Sequence, residues 1–314
     1  NTPMGTRQLR KWVLLPLLSV EAIEYRLTIV EYFVRHSPER DGFIQLLKQI
    51  GDLERLISKS AMGRIQPREV LQLKKALIAI SELKKSLDNT ESVELQHIGD
   101  ALHDCHQLIS KIDSTLRDDA PTLVSKGNVI KNDVDAELDE YRYLIGHSKD
   151  VMAEILQKET EASGIQNLKL GFNNVFGYYL EVTAKHKHTT VPDHWIRKQT
   201  LANAERYITE DLKILETKIL QAETVIQEIE ERLFTRLIIQ INEYIESIQA
   251  NCAQIARLDC LISFAYQAGR YHYNKPEFND DGIIRIIQGR HPIIEVMLGH
   301  EKKYIPNDLY LDQE

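Results

Sequence analysis

Glycine and proline are scarce, 14 and 9 in 314 residues. From Asp193 to Ala268 there is neither, a stretch of 76 residues. No α/β or all-β fold runs that far without a turn residue, so the class is mainly α with long helices. Cysteine is scarcer still. Cys105, Cys252 and Cys260 form no CxxC pair, and so sparse and odd a set reads as reduced thiols of a cytosolic protein. No run of 18 apolar residues occurs, which excludes a membrane-spanning helix. Asn1 to Arg10 holds no apolar signal-peptide core. Basic residues fall short of acidic ones, 39 against 47, for a net charge of −8. That argues against a uniformly basic nucleic-acid binder and leaves room for a local basic patch. GxSxG, HExxH and the phosphate-binding GxxxxGK[ST] loop are all missing, and no Gly-Lys dipeptide occurs. No catalytic residue is assigned, and an enzyme reading of these residues is weak.

What is present is ordinary globular chemistry, with 43% hydrophobic and 27% charged residues. Ser19 can cap a helix through Val20, Ile23, Leu27 and Val30. Ser37-Pro38 and Asp41-Gly42 predict its break, with a second helix from near Phe43. Leu46, Leu47, Ile50, Leu53, Leu56 and Ile57 keep helical spacing. Gln66-Pro67 predicts the start of a third helix, and a fourth is predicted over roughly Val93 to Thr115. Val134, Leu138, Tyr141, Ile145, Ser148, Met152 and Ile155 then form a heptad seam that Ser163-Gly164 ends. The period changes to two over 168–170 and 175–183, with Asn173-Asn174 between them, which predicts a β-hairpin. Thr189, Thr190 and Val191 suggest one more short strand. Leu212 to Ile255 resumes the apolar stripe and predicts a helix of about 55 residues, on the order of 80 Å long. Its stripe needs a partner, and the seam at 134–155 running antiparallel supplies one. Ile283 to Ile287 reads as a strand in a segment, 271–314, too short to close its own core. The chain is expected to stop inside a larger protein.

The arms hold a small β-rich element at their tip, and that element carries the basic patch. From Thr183 to Arg206 the cations are Lys185, Lys187, Arg197, Lys198 and Arg206, against Asp193 and Glu205. His186, His188, Trp195 and Tyr207 interleave, and Gln199, Thr200 and Asn203 add donors. Such a set suits phosphate contact without sequence readout. A solvated charged face at a helix start is the other reading. His97, His103, Cys105 and His106 invite a metal, but four ligands in fixed geometry are not in view, and helix-surface histidines account for them better. The scattered Glu and Asp are read as outer heptad positions that keep the arms soluble.

In this order the segments resemble the middle of the MutS family of DNA mismatch-recognition ATPases. Thr2 to Trp12, with Pro16-Leu17, resembles the opening of the family's lever domain. Ile50 to Leu56 is similar to its D-L-E-R-L helix. Phe176 to Thr183 resembles the clamp's G-Y-Y-hydrophobic-E-V run, and Arg197 to Tyr207 the clamp segment that lies on the DNA backbone. Leu258 to Leu261 and Ser263-Phe264-Ala265 are similar to the returning lever. Gly289 to Pro292 and Tyr304 to Asp308 resemble the strands that open the ATPase domain. The resemblance covers nearly the whole chain and implies a helical lever body with a long antiparallel coiled-coil arm pair and a small β-containing clamp at its tip. Its expected divisions are a lever body at 1–132, a clamp with its outgoing arm at 133–220, a returning lever helix at 221–270 and an incomplete ATPase opening at 271–314.

The resemblance implies phosphate contacts from Arg197, Lys198, Thr200 and Asn203, with Gln199 and Arg206 beside them. Arg206 could instead pair with a lever carboxylate. It implies that Tyr304 and Ile305 flank an adenine in the full-length protein, with Asn307 nearby, and an aromatic at 304 suits stacking on a flat base. ATP and Mg²⁺ belong to that longer protein, and the segment itself is expected to need no cofactor and to catalyse nothing. A double-stranded DNA backbone, a second copy and a MutL-type protein are the implied partners, in a cytoplasmic, nucleoid-associated setting. The family's Phe-x-Glu wedge does not occur after any of the seven phenylalanines. The chain alone is therefore expected neither to find mismatches nor to hydrolyse ATP. Two alternatives stand: a coiled-coil module whose tip binds a protein, and a MutS-like paralogue acting in recombination.

Overall fold

The computed structural model describes residues 1–173, 175, 177–183, 191–298 and 304–312. Its architecture is mainly α with a small antiparallel sheet. Helices α1 (Pro3–Leu14), α2 (Val20–Arg35), α3 (Ser37–Ile50), α4 (Leu53–Ala61), α5 (Pro67–Asp88), α6 (Val93–Asp100) and α7 (His106–Thr115) form the body. Capping explains several starts. Ser19 Oγ accepts from the Ala22 amide and Ser92 Oγ from Leu95. Gln66 and Glu69 make a reciprocal capping box in front of Pro67. Each such cap stabilises its helix by about 1 kcal/mol.

After the body come α8 (Ala136–Gly146) and α9 (Ser148–Ser163), then the sheet, then α10 (Glu210–Asn242) and α11 (Ile245–Tyr271). Residues Ile229 to Ala265 of these last two helices join Phe33, Leu47, Leu53, Leu73 and Leu83 in one apolar cluster. Fully burying such a side chain contributes about 1.5–3 kcal/mol. Side-chain pairs set the direction of the arms. Glu137 meets Arg232, Glu140 meets Lys218 and Lys158 meets Asp211, so numbers rise on one arm as they fall on the other. The arms are antiparallel, with α8 packed along α10. Among the described residues no helix is long and apolar enough to cross a membrane.

Four sequence expectations need correction. Asp41-Gly42 does not break a helix, because α3 starts at Ser37 and runs through it. Pro38 sits in the first turn, where its missing N–H is not needed. Burial of Phe43, Leu47 and Ile50 offsets the interior glycine, whose cost is about 1 kcal/mol. The true stop is Gly51, at φ +66°. The expected fourth helix is two, α6 and α7. Asn251 of α11 holds the link between them, accepting from the His103 amide at 2.7 Å and donating to the His103 carbonyl at 3.0 Å. The 55-residue helix is also two. Tyr244 leaves helical geometry at φ −99°, ψ 5°, and its hydroxyl donates to Gln107 of α7 at 3.3 Å. The seam at 134–155 bends at His147, whose ring stacks on Tyr143 with centroids 4.3 Å apart. Beyond it Ile155 packs on the sheet's own core rather than on α10's stripe alone.

The sheet contains β1 (Lys169–Asn173), β2 (Gly177–Thr183), β3 (Ile196–Thr200) and β4 (Ala204–Ile208), antiparallel in the order β1-β2-β4-β3. The expected hairpin is β1–β2. Asn174, Phe176 and the strand expected at Thr189-Thr190 lie outside the described residues. A separate apolar cluster of Ile165, Leu168, Leu180, Val182, Trp195, Tyr207 and Leu212 holds one face of the sheet. Near the C-terminal end, β5 (Ile284–Gly289), α12 (Pro292–Leu298) and β6 (Asn307–Leu311) follow, with β5 and β6 paired antiparallel.

An acid-sensitive contact joins α1 to α4. Arg7 donates to Asp52 at 2.7 Å and to Glu54 at 2.6 Å. The guanidinium hydrogen-bonded to Asp52 holds its carboxyl below the ordinary value of 3.8. A carboxyl depressed in the folded state adds stability above its unfolded pKa, and that stability goes as pH falls through the folded pKa. Thermal midpoints at pH 6 and pH 3 should therefore differ less for Asp52→Asn than for the unaltered chain. The difference is small, under about 1 kcal/mol, because the arginine is half exposed. Equal drops in both proteins would remove this pair from the acid response.

Candidate nucleic-acid interface

The segment 196–208 folds as a hairpin at the sheet's outer side. Leu201 N–H donates to the Ala204 carbonyl at 2.8 Å, closing a turn with Ala202 and Asn203 at its apex. Arg197 faces Tyr207 across the ladder, yet Gln199 faces Arg206. Lys198 is thus the extra residue of a β-bulge, a device that twists a strand and re-aims its side chains. Arg197, Lys198, Thr200 and Asn203 are all exposed. The structure gathers these four on one hairpin. Of the four, only Arg197 has a charged neighbour among the described residues, with Nη1 3.6 Å from Glu205 Oε1, and its side chain stays 62% exposed.

Gln199 and Arg206 differ. Arg206 Nε donates to Glu181 Oε2 at 3.0 Å, and its Nη1 donates to Gln199 Oε1 at 2.9 Å. Its guanidinium carbon also lies 4.4 Å from the Tyr179 ring centroid. The carboxylate that pairs with it is on β2, not on a lever, which corrects the alternative raised from the sequence. Arg206 thus ties β4 to β2 through Glu181 and to β3 through Gln199. On the opposite face Glu205 is buried and accepts from the Tyr207 hydroxyl at 2.6 Å. Burial, together with that hydrogen bond, pushes the Tyr207 phenol up to about 12.

Sequence reasoning missed the residue that anchors this hairpin. Glu159 of α9 is 1% exposed. It accepts from Trp195 Nε1 at 2.7 Å and pairs with His194 Nε2 at 3.0 Å. Both partners immediately precede β3, so one buried carboxylate fastens the start of that strand to the arm. Read as one of many acids on an arm helix, Glu159 carried no distinguishing signal. Trp195 did, since a buried indole N–H needs an acceptor.

The remaining candidates lie elsewhere. Tyr304 is half buried, Ile305 is exposed, and Asn307 opens β6 opposite Gly289. Asn307 belongs to the two-stranded C-terminal sheet, and Tyr304 and Ile305 lead into it, away from the clamp-like one. Cys105 is buried, and burial pushes its thiol up to about 11. His106 Nε2 lies 3.4 Å from Asp104. Among the described residues no group of three or more His, Cys, Asp or Glu could hold a metal ion. Lys185, His186, Lys187 and His188 lie outside the described residues.

A family model described as MutS domain III matches residues 1–265. The curated DNA mismatch repair protein MutS of Phocaeicola vulgatus is 48% identical over 313 residues and spans 100% of this chain. That of Bacteroides fragilis is 48% identical over 311 residues and spans 99%. That of Flavobacterium psychrophilum is 48% identical over 313 residues. In each case the chain spans 36% of the relative's length.

Proposed function

This chain belongs to the MutS family, and from that premise we propose that it is the lever and clamp region of a mismatch repair ATPase, gripping duplex DNA by its phosphate backbone. In this reading residues 1–132 are the lever body, 133–220 the clamp with its outgoing arm, 221–270 the returning lever and 271–314 the opening of the ATPase domain. The observation that carries it is the outer hairpin, with Arg197, Lys198, Thr200 and Asn203 exposed together on a rigid sheet. Two cations neutralise phosphates, and a hydroxyl and an amide fix position. None of these groups is arranged to read base edges, so the grip is indifferent to sequence. Gln199 and Arg206 support it from within the sheet.

The antiparallel arms supply the link to the body. Rigid elements with more than one arrangement can couple distant sites. Tyr304 and Ile305 offer an aromatic and an aliphatic surface of the kind that packs on an adenine, with Asn307 beside them. When the rest of the polypeptide is present, ATP and Mg²⁺ would supply the free energy for movement. Homodimerisation and a MutL-type partner follow from the same reading of the longer protein.

The test is binding to a fluorescent random-sequence duplex at ~50 and ~200 mM salt. Affinity should fall roughly 10- to 100-fold between the two, as expected for two to four phosphate contacts. Arg197→Ala with Lys198→Ala should weaken binding at all sequences alike and lower the salt slope by about 2. A loss confined to one sequence would contradict backbone contact. Salt-independent binding, or none from a folded chain, would favour a tip that serves a protein ligand.

A further inference from the structure

Among the described residues, two neighbouring arginines of the body have no ion pair. Arg26 of α2 has its guanidinium carbon 3.6 Å from the Trp12 ring centroid. Arg257 of α11 lies 5.0 Å from the Tyr25 ring centroid. Both line one groove of about 600 Å³, with Gln8, Ser19, Glu21 and Gln254. Among the described residues no carboxylate lies within 4 Å of either guanidinium. Their mutual repulsion is felt, since burial and the nearby Arg257 charge both depress Arg26 below the ordinary arginine value. Stacking on aromatic rings holds each cation in place while leaving its planar edge free to donate.

The groove does not end at Trp12. A second, apolar hollow of about 330 Å³ shares Trp12, Leu17 and Arg26 with it and is otherwise lined by side chains such as Val13, Leu27 and Phe264. Two leucines next in sequence to lining residues stand in solvent. Leu14 is 78% exposed and Leu18 94% exposed. Cation and hollow thus adjoin across one indole ring. The sole acid of the cationic groove, Glu21, brings its formal charge to about +1, which suits one carboxylate better than a phosphate dianion.

We propose that this double groove accepts a polypeptide segment in which an acidic residue stands beside a large apolar one. The carboxylate lies between Arg26 and Arg257, accepting from their edges, and the apolar side chain fills the hollow behind Trp12. Arg–carboxylate hydrogen bonds of this kind are directional and charge-assisted. The site is remote in sequence from the hairpin and its inference does not depend on DNA binding.

The chain should be titrated with a blocked Leu-Glu-Leu tripeptide up to about 10 mM, since one ion pair and one apolar side chain give affinity near the millimolar range. Blocked Leu-Gln-Leu and inorganic phosphate, at matched ionic strength, are the other arms. The glutamate peptide should raise the thermal midpoint saturably by roughly 3 °C and change tryptophan emission. The glutamine peptide should do neither, and Arg26→Gln with Arg257→Gln should abolish the response. If loss of the Trp12 stack unfolds that variant, Arg257→Gln alone carries the test and should weaken the response at least severalfold. Equal response to either peptide, a response to phosphate instead, a response kept by the variants, or none at all would overturn the proposal.

Discussion

Glu230→Ala should lower the unfolding free energy by roughly 3–5 kcal/mol, the cost typical of removing one partner from a buried charge pair. Glu230 is 0% exposed on α10. One of its oxygens, Oε1, accepts from the amides of Val129 at 3.0 Å and Ile130 at 3.3 Å, and from Arg142 Nη2 at 2.7 Å. The loop reaches it through two successive left-handed residues, Gly127 at φ +68° and Asn128 at φ +58°. Alanine would leave two buried N–H groups without their acceptor, at about 1–3 kcal/mol each, and strip the mostly buried Arg142 of its buried carboxylate, though it keeps Ile130 O and Asn132 Oδ1. Glu230→Gln keeps a carbonyl for all three donors and can turn its amide toward the place of Oε2, which has no hydrogen-bond partner among the described residues. It should lose about half as much. Urea midpoints for the three proteins decide this, and a glutamine variant as unstable as the alanine one would show that charge matters more than the bonds.

Glu159→Ala should be nearly as damaging, but locally. It removes the acceptor of the buried Trp195 N–H and the partner of His194. An unsatisfied buried donor costs about 1–3 kcal/mol. Because the sheet has a core separate from the body's, that loss falls on the sheet alone. Hydrogen exchange should quicken by roughly 10- to 100-fold over β3 and β4, corresponding to about 1.4–2.8 kcal/mol, while α5 amides stay protected. If the sheet grips a duplex as proposed, that affinity should fall with it, although Glu159 carries no cation. Glu159→Gln keeps an acceptor for the indole and should restore most of the protection. Uniform quickening across the whole chain would mean that sheet and body unfold together.

The helices of the body were legible because their signals are local. Ser19, and Gln66 with Glu69, cap where the sequence indicates. What escaped is set by tertiary partners. The break between α10 and α11 at Tyr244 has neither glycine nor proline; its hydroxyl donates to Gln107 of α7, and no window along the helix contains that contact. The outer hairpin was legible as chemistry but not as structure. Ile196 to Thr200 lacks apolar alternation, since β3 has one neighbour and much of it meets solvent. Buried acids were the deepest blind spot. Glu159, Glu205, Glu230 and Asp259 look like the solvated acids around them, yet all four are buried. Asp259 accepts from the Thr2 amide at 2.7 Å and its hydroxyl at 2.8 Å, tying α1 to α11 across nearly the whole chain. Their burial depends on donors more than 30 residues away, Glu205 excepted.

The bulge at Lys198 has a second effect, on self-association. β3 is the outer strand among the described ones, and an outer strand offers its far-side amides and carbonyls to any extended segment that drifts past. A kinked ladder crowned by Arg197 and Lys198 is a poor template for such pairing, because the register is broken and two like charges would meet their copies. The cations that suit a phosphate therefore also keep neighbouring molecules from zipping edge to edge. Substituting both with alanine would strip away that guard, so the alanine pair would be more prone to form fibrils on concentration than the unaltered chain.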